Sequence, residues 1–194
     1  MLERATLREA PQRASEPLRD VALLERILAY DPDKPGIAMP FSKRLAQENG
    51  WTHAYALAVI SEYKRFVYLA CISKHEVVPS DEVDQVWHLH LAHSRDYWLD
   101  FCDKVLQRQL HHDPAEGGTS DEAQFTFNYK RTLTLYQTIF GKAPPPAIWP
   151  PAPIRFAYGA DRKRVNFALF SIAPKKSLVG RIARPTSSPP SSSA

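Results

Sequence analysis

The sequence predicts an all-α fold: an irregular bundle of about five helices with a Pro-rich, partly disordered C-terminal extension. Three observations carry that reading. Apolar residues recur at three-and-four spacing in successive segments up to Phe140, capping residues stand in front of those segments, and strand-like alternation is confined to a stretch after Arg155. Hydrophobic residues at 44% and charged residues at 24% over 194 positions fit a soluble globular chain with one core.

Residues 1–17 are polar and interrupted by Pro11 and Pro17, which reads as a flexible arm before a helical domain over 18–141. The first helix is expected over about 18–30, with Leu18, Val21, Leu24, Ile27 and Leu28 on its apolar stripe. Pro32, Pro35 and Gly36 stop it. Ser42 is placed to cap a short second helix, KRLAQEN, closed by Gly50. Thr52 then caps a long helix to about Ser73. Its core stripe is Tyr55, Val59, Tyr63, Phe66, Val67 and Ala70, and Glu62, Lys64 and Arg65 are assigned to its wet side.

Ser80 opens the central helix, with Asp81, Glu82 and Asp84 complementing the dipole in its first turn; it is expected to run to about Gln107. QLHHDPAEGG follows as a loop. Thr119 and Glu122 have the spacing of a capping box for a last helix over about 121–140, with Phe125, Tyr129, Leu133, Tyr136 and Phe140 inward and Gly141 at its end. Thr132, Thr134 and Thr138 weaken its intrinsic propensity, so packing must hold it. Residues 142–172 form a Pro-rich extension that Trp149 is expected to pin onto the helices, with alternation around GAD that allows a short hairpin. Residues 173–194 read as a disordered basic Pro/Ser tail.

The net charge of +4 hides an asymmetry. Residues 142–194 hold nine Lys+Arg against one acidic residue, leaving 16 Lys+Arg and 20 Asp+Glu in the body. Only the tail could attract a nucleic acid by its field, and then non-specifically. No run of about 18 apolar residues suggests a membrane span, and the N-terminus lacks a signal-peptide core, so a cytoplasmic protein without membrane contact is expected. Cys71 and Cys102 lie in apolar-periodic segments and read as small buried hydrophobes.

Candidate chemistry concentrates in PSDEVDQVWHLHLAHSRDYWLDFC, residues 79–102, and in His111 and His112 just beyond. At about 100° per residue, Asp84, Trp87, His88, Leu91, Arg95, Trp98 and Cys102 share one face of a regular helix, and Val83, Val86, His90, His93, Tyr97 and Phe101 share the other. Asp84 and His88 are an i,i+4 pair; His90 points away from both. Cys102 lies about 27 Å up the axis and cannot join them. Asp84 and His88, completed by His112 or His111 folding back from the loop, would hold a divalent metal such as zinc, because histidine is the commonest metal ligand and a carboxylate fixes its tautomer. His90 and His93 form a second pair able to bind zinc. Against this stands a bland reading, in which Asp84 holds His88 in a structural network over Trp87 and Trp98. The cluster has no H-E-x-x-H or paired C-x-x-C spacing to decide the matter.

VVPSDEVDQVWHLHLAHSRDYW, LHHDPAEGG, TLTLYQTIFG and IWP together resemble the glycine-rich domain-containing-protein-like family over about Tyr63 to Pro150. The most specific part is an Asp two residues before a V-W-H-x-H run, with a Tyr seven residues after the second His. The resemblance implies a helical domain with Asp84, Trp87, His88, His90, Tyr97 and Cys102 at signature positions, and His112, Pro114 and Gly117–Gly118 match its bacterial form. It implies no activity. Plant relatives carry RNA-associated regions, but these residues include neither a glycine-rich tract nor an RNP-like motif, so RNA binding does not carry over.

Three functions follow as expectations. The first is a protein-interaction or small-ligand-binding module, with PPPAIWPPAP as one docking element. The second is a metal-binding or metal-dependent hydrolytic domain using the Asp/His cluster. The third is non-specific nucleic-acid binding through the tail. No nucleophile elbow, phosphate-cradling loop or dinucleotide fingerprint is present, so binding is favoured over catalysis.

Overall fold

His53–Ile72 forms the longest fully described helix, and the helices Val21–Ala29, Phe41–Asn49, Asp81–Ala92 and Thr119–Phe140 all pack on it. The computed structural model describes residues 20–112 and 119–157, with the side chains of 119–122 left aside. In order, the elements are α1 (Val21–Ala29), α2 (Phe41–Asn49), α3 (His53–Ile72), α4 (Asp81–Ala92), a π-helix (Asp96–Leu106), α5 (Thr119–Phe140) and the single turn α6 (Ala152–Arg155). Among the described residues there is no β-strand, so the predicted all-α class holds. None of their helices is long and apolar enough to cross a membrane. The flexible arm, the 173–194 tail and all but the first residues of the predicted hairpin lie outside the described residues.

Local signals place the caps of α3 and α4. The Thr52 hydroxyl accepts the Tyr55 amide, and the Ser80 hydroxyl accepts that of Val83, each filling an orphan donor at a helix start. Gly50 ends α2 at φ +66°, the left-handed conformation glycine adopts without strain.

Four expectations need correction. Ser42 does not cap α2: Pro40 occupies the cap, and Ser42 is buried inside the helix. Its amide and hydroxyl donate to Asp33 at 2.8 and 2.6 Å, so a carboxylate nine residues back does the capping. In α1 the buried residues are Leu23 and Ile27, while Val21 and Leu28 are 60% and 46% exposed; the face turned inward is rotated from the expected stripe. Glu62 belongs to the core rather than the wet side, at 5% exposure, because Trp149 Nε1 and Arg65 both donate to its carboxylate. The fourth concerns the central helix, which does not run on to Gln107.

It breaks at His93, whose amide is shared between the carbonyls of Leu89 and His90 at φ −84°, ψ +54°. The chain resumes as a π-helix that ends with Gln107 at φ +57°. On an unbroken helix residues 90 and 96 would be about 9 Å apart along the axis and about 120° apart around it. Here His90 Nε2 and Asp96 Oδ2 are 3.1 Å apart. Likewise residues 87 and 97, about 15 Å apart along the axis of a regular helix, bring the Trp87 indole and Tyr97 hydroxyl to 2.9 Å. These buried polar contacts exist only because the helix gives way.

The described part of the Pro-rich extension, up to residue 157, packs on the helices. Trp149 is 2% exposed, and Ile148 and Ala152 join the same core. Arg155 of α6 donates to Asp81 at 3.1 Å and lies over the Tyr129 ring, tying the extension to the starts of α4 and the middle of α5. Tyr129 and Tyr136 are fully buried along α5, with Phe125, Leu133 and Phe140 packed partly against the core. The Thr132 hydroxyl offsets its poor helix propensity by accepting the Val78 amide at 2.9 Å.

Candidate metal centre

Residues of α4 face two environments. On one side, Asp84 and His88 are successive-turn neighbours, with His88 Nε2 3.7 Å from Asp84 Oδ2. His112 returns from the loop after the π-helix and sets its Nε2 2.8 Å from Asp84 Oδ1. The His88 and His112 rings lie 4.7 Å apart, and the Trp87 ring backs His112 at 4.4 Å. One ligand atom from each of Asp84, His88 and His112 falls within 4.8 Å of the others. Side-chain exposure rises from 18% at His112 through 25% at Asp84 to 54% at His88, so the cluster is walled on the His112 side and open on the His88 side.

The donor set is two imidazoles and one carboxylate. A tetrahedral zinc with bonds of about 2.0–2.1 Å needs ligand atoms about 3.3 Å apart, and the two measured separations fall on either side of that value. Three protein donors would leave a coordination position for water or a ligand. His111 does not join: it is exposed, paired with Gln109 and tilted against the Trp98 ring.

A hydrogen-bonded tether holds His112 in place. Trp87 Nε1 donates to the Tyr97 hydroxyl, which donates at 2.5 Å to the carbonyl of Leu110, two residues before His112. Tyr97 is completely buried, and burial pushes its hydroxyl up in pKa, so it stays a donor at every ordinary pH. Cys102 is buried nearby and burial raises its thiol as well; neither it nor Trp98 reaches the cluster.

The opposite side of α4 is closed. His90 is 0% exposed, and both its ring nitrogens are engaged: Nδ1 with the Tyr63 hydroxyl at 3.0 Å, Nε2 with the Tyr30 hydroxyl at 3.0 Å and with Asp96 at 3.1 Å. One proton arrangement satisfies the group. Tyr63 donates to Nδ1, Nε2–H is shared between Asp96 and the Tyr30 oxygen, and Tyr30 donates to Asp96. Burial pushes the His90 imidazole down to about 4, with Asp96 only partly opposing it, so the ring is neutral at pH 7. Burial and then the hydrogen bond to Asp96 push the Tyr30 hydroxyl far up. Burial works to raise Asp96, but hydrogen bonds from Tyr30 and Lys34 and the Lys34 charge outweigh it and hold the carboxyl below its usual range.

The His90–His93 pair therefore offers no shared ion site. His90 has no lone pair to give, and the His93 ring packs edge-on against Phe41 at 5.5 Å. Sequence reasoning missed Tyr30, Tyr63 and Asp96 as partners of His90, since nothing local in the chain announces contacts made across 60, 27 and six residues. It also missed the Asp33–Ser42–His53 cluster, in which the buried Ser42 Oγ sits between Asp33 and the exposed His53 at Nε2. That order, with the hydroxyl already donating to the carboxylate, is a clasp between helices rather than an activated nucleophile.

Comparison with known proteins locates the chain. It is 25% identical over 134 residues to Glycine-rich domain-containing protein 2 of Arabidopsis thaliana, covering 66% of this chain and 17% of that protein. It is 22% identical over 107 residues to Glycine-rich domain-containing protein 1 of the same plant, covering 53% of this chain and 13% of the relative. The chain thus spans less than a fifth of the curated relatives it matches. No solved structure matches it. The model of the UCP032817-like family matches residues 37–134, just over half of the chain and including Asp84, His88, Tyr97 and His112. This chain belongs to the UCP032817-like family, and so to the glycine-rich-domain-protein-like group that the signature of α4 resembles.

Proposed function

We propose that the domain binds a divalent transition-metal ion, zinc being the best chemical fit, through Asp84, His88 and His112, and uses it to take up a ligand rather than to brace the fold. The observation that supports this most is the return of His112, across 28 residues, to a carboxylate already paired with a second imidazole. Two neutral imidazoles and a carboxylate suit zinc, and three protein donors leave it open to an exogenous ligand. A hydrolytic use of a bound water is compatible with the donor set, but among the described residues no further acidic or imidazole group joins the three donors, which favours binding.

The bland alternative is a clamp, in which the His112–Asp84 hydrogen bond only fastens the loop to α4. Asp84→Asn separates the two, since asparagine keeps an acceptor for His112 but is a poor zinc ligand. Zinc titration of the purified chain, followed by Trp fluorescence through Trp87, should give one ion per chain in the wild type. Asp84→Asn and His112→Ala should each lower the affinity by at least about 100-fold, more than an outer-shell change does. Absence of stoichiometric zinc, or an affinity unmoved by both substitutions, would sink the metal reading in favour of the clamp.

The interaction-module reading gains less support. Ile148, Trp149 and Pro150 are buried, so the aromatic anchor of the Pro-rich segment packs within this chain. Polyanion binding by the basic tail remains a separate expectation, tested by whether removal of residues 158–194 abolishes salt-sensitive binding to DNA.

A further inference from the structure

Beside the Asp84–His88–His112 cluster lies a cleft of about 650 Å³ between α2 and α4. Gln85, His88, Leu89 and Ala92 line it from α4 and Arg44, Glu48 and Asn49 from α2, and His93 lines it too. On α4, His88 lies between Asp84 and the cleft flank, about 40° round the axis from Asp84 and about 40–100° from the other lining residues. His88 is thus the one residue common to the cluster and the cleft. An ion on the cluster would have its remaining coordination positions on the exposed His88 side, toward the cleft.

The lining decides what could fill it. Leu89 and Ala92 are the only apolar residues, which does not suit a hydrophobic ligand. Among the described residues that line it, Arg44 is the sole permanent cation, and it pairs with Glu48 at 3.7 Å, both side chains being about half exposed. A pair at that distance and exposure holds its members weakly, leaving the guanidinium able to turn to a better acceptor. A zinc ion balanced by one carboxylate keeps a positive charge, and guanidinium forks fit planar or tetrahedral oxyanions.

Resting on the metal reading, we infer that the cleft binds a small oxyanion, a carboxylate or a phosphate, with one oxygen on the ion beside His88 and another on Arg44. The volume is of the order that small-molecule sites have, about 300–1,000 Å³. Glu48 then acts as a placeholder for the anion, competing for Arg44 until the ligand arrives.

The test is calorimetric titration of the zinc-loaded full chain with inorganic phosphate and, separately, with succinate. At least one should bind one-to-one, and the stronger of the two identifies the source of the oxyanion. Arg44→Ala should weaken it at least tenfold with zinc affinity unchanged. Glu48→Gln, which frees the guanidinium, should tighten it by up to about fivefold. Zinc uptake with no binding of either anion, or binding indifferent to Arg44, overturns the cleft and leaves the ion in place. Anion binding that needs Arg44 but proceeds without zinc sustains the cleft and overturns the ion.

Discussion

His88 and His90 leave the same helix two residues apart and end in opposite surroundings. His90 is sealed among Tyr30, Tyr63, Asp96, Phe41 and Phe101, with each nitrogen answered and the ring neutral. His88 is about half exposed, shares a carboxylate with His112 and opens on a polar cleft. On the proposed reading, what separates a structural from a functional histidine is not the residue or its local motif, but whether a lone pair remains to be offered once the fold is complete.

Substituting the two histidines should break the comparison most sharply. His90→Ala removes a fully buried ring packed among aromatic side chains and leaves the Tyr63 hydroxyl without its acceptor, and should destabilise the chain by about 3–5 kcal/mol in urea unfolding. His88→Ala should stay within about 0.5 kcal/mol, as an exposed substitution does, while abolishing zinc uptake. If the two variants unfold alike, His90 is not the keystone described.

Acid should act on the buried side next. The unfolded His90 ring has a pKa of about 6.5, and the folded ring about 4. Between those values the unfolded chain holds the extra proton, so stability falls as pH drops through that window, by on the order of 3 kcal/mol in total. Above about pH 6.5 this contribution is constant. Asp96 acts in a separate window: its depressed carboxyl adds stability above about pH 3.9 that is lost only below it. Ring nitrogen NMR shifts of the chelator-treated protein should show His90 still neutral at pH 5; a ring protonated there would mean that Asp96 governs it instead.

The tether joins the two sides, so removing it should produce a smaller, mixed effect. Tyr97→Phe keeps the packing but frees Leu110 and leaves the Trp87 indole without its acceptor. A stability loss of about 1 kcal/mol is expected, with zinc affinity down about tenfold, as for an outer-shell partner. An unchanged affinity alongside the lost stability would make Tyr97 structural only.

What could be read in advance follows the range of each interaction. Thr52, Gly50 and Ser80 were legible because a cap is settled within three or four residues. The opposition of His88 and His90 was legible too, because helical phase is local. Glu62 was misassigned because its partner Trp149 lies 87 residues on. The break at His93 was invisible because its cause is tertiary: Asp96 is drawn to Lys34, Tyr30 and His90, and no residue at the break demands it. The pairing of His112 with Asp84 could only be guessed from residue type, since a loop carries no periodicity to aim it.

Residue type alone does not separate His111 from His112, and the geometry does. Both follow the tether at Leu110, but their rings go to different neighbours. His112 turns in between Trp87 and Asp84, while His111 turns out onto Trp98 and Gln109. His111→Ala should therefore leave zinc affinity within about twofold and stability within about 0.5 kcal/mol, against the large loss at its neighbour. Equal losses at the two positions would mean that the loop can present either ring, and that the cluster is held by charge rather than by the direction Tyr97 imposes.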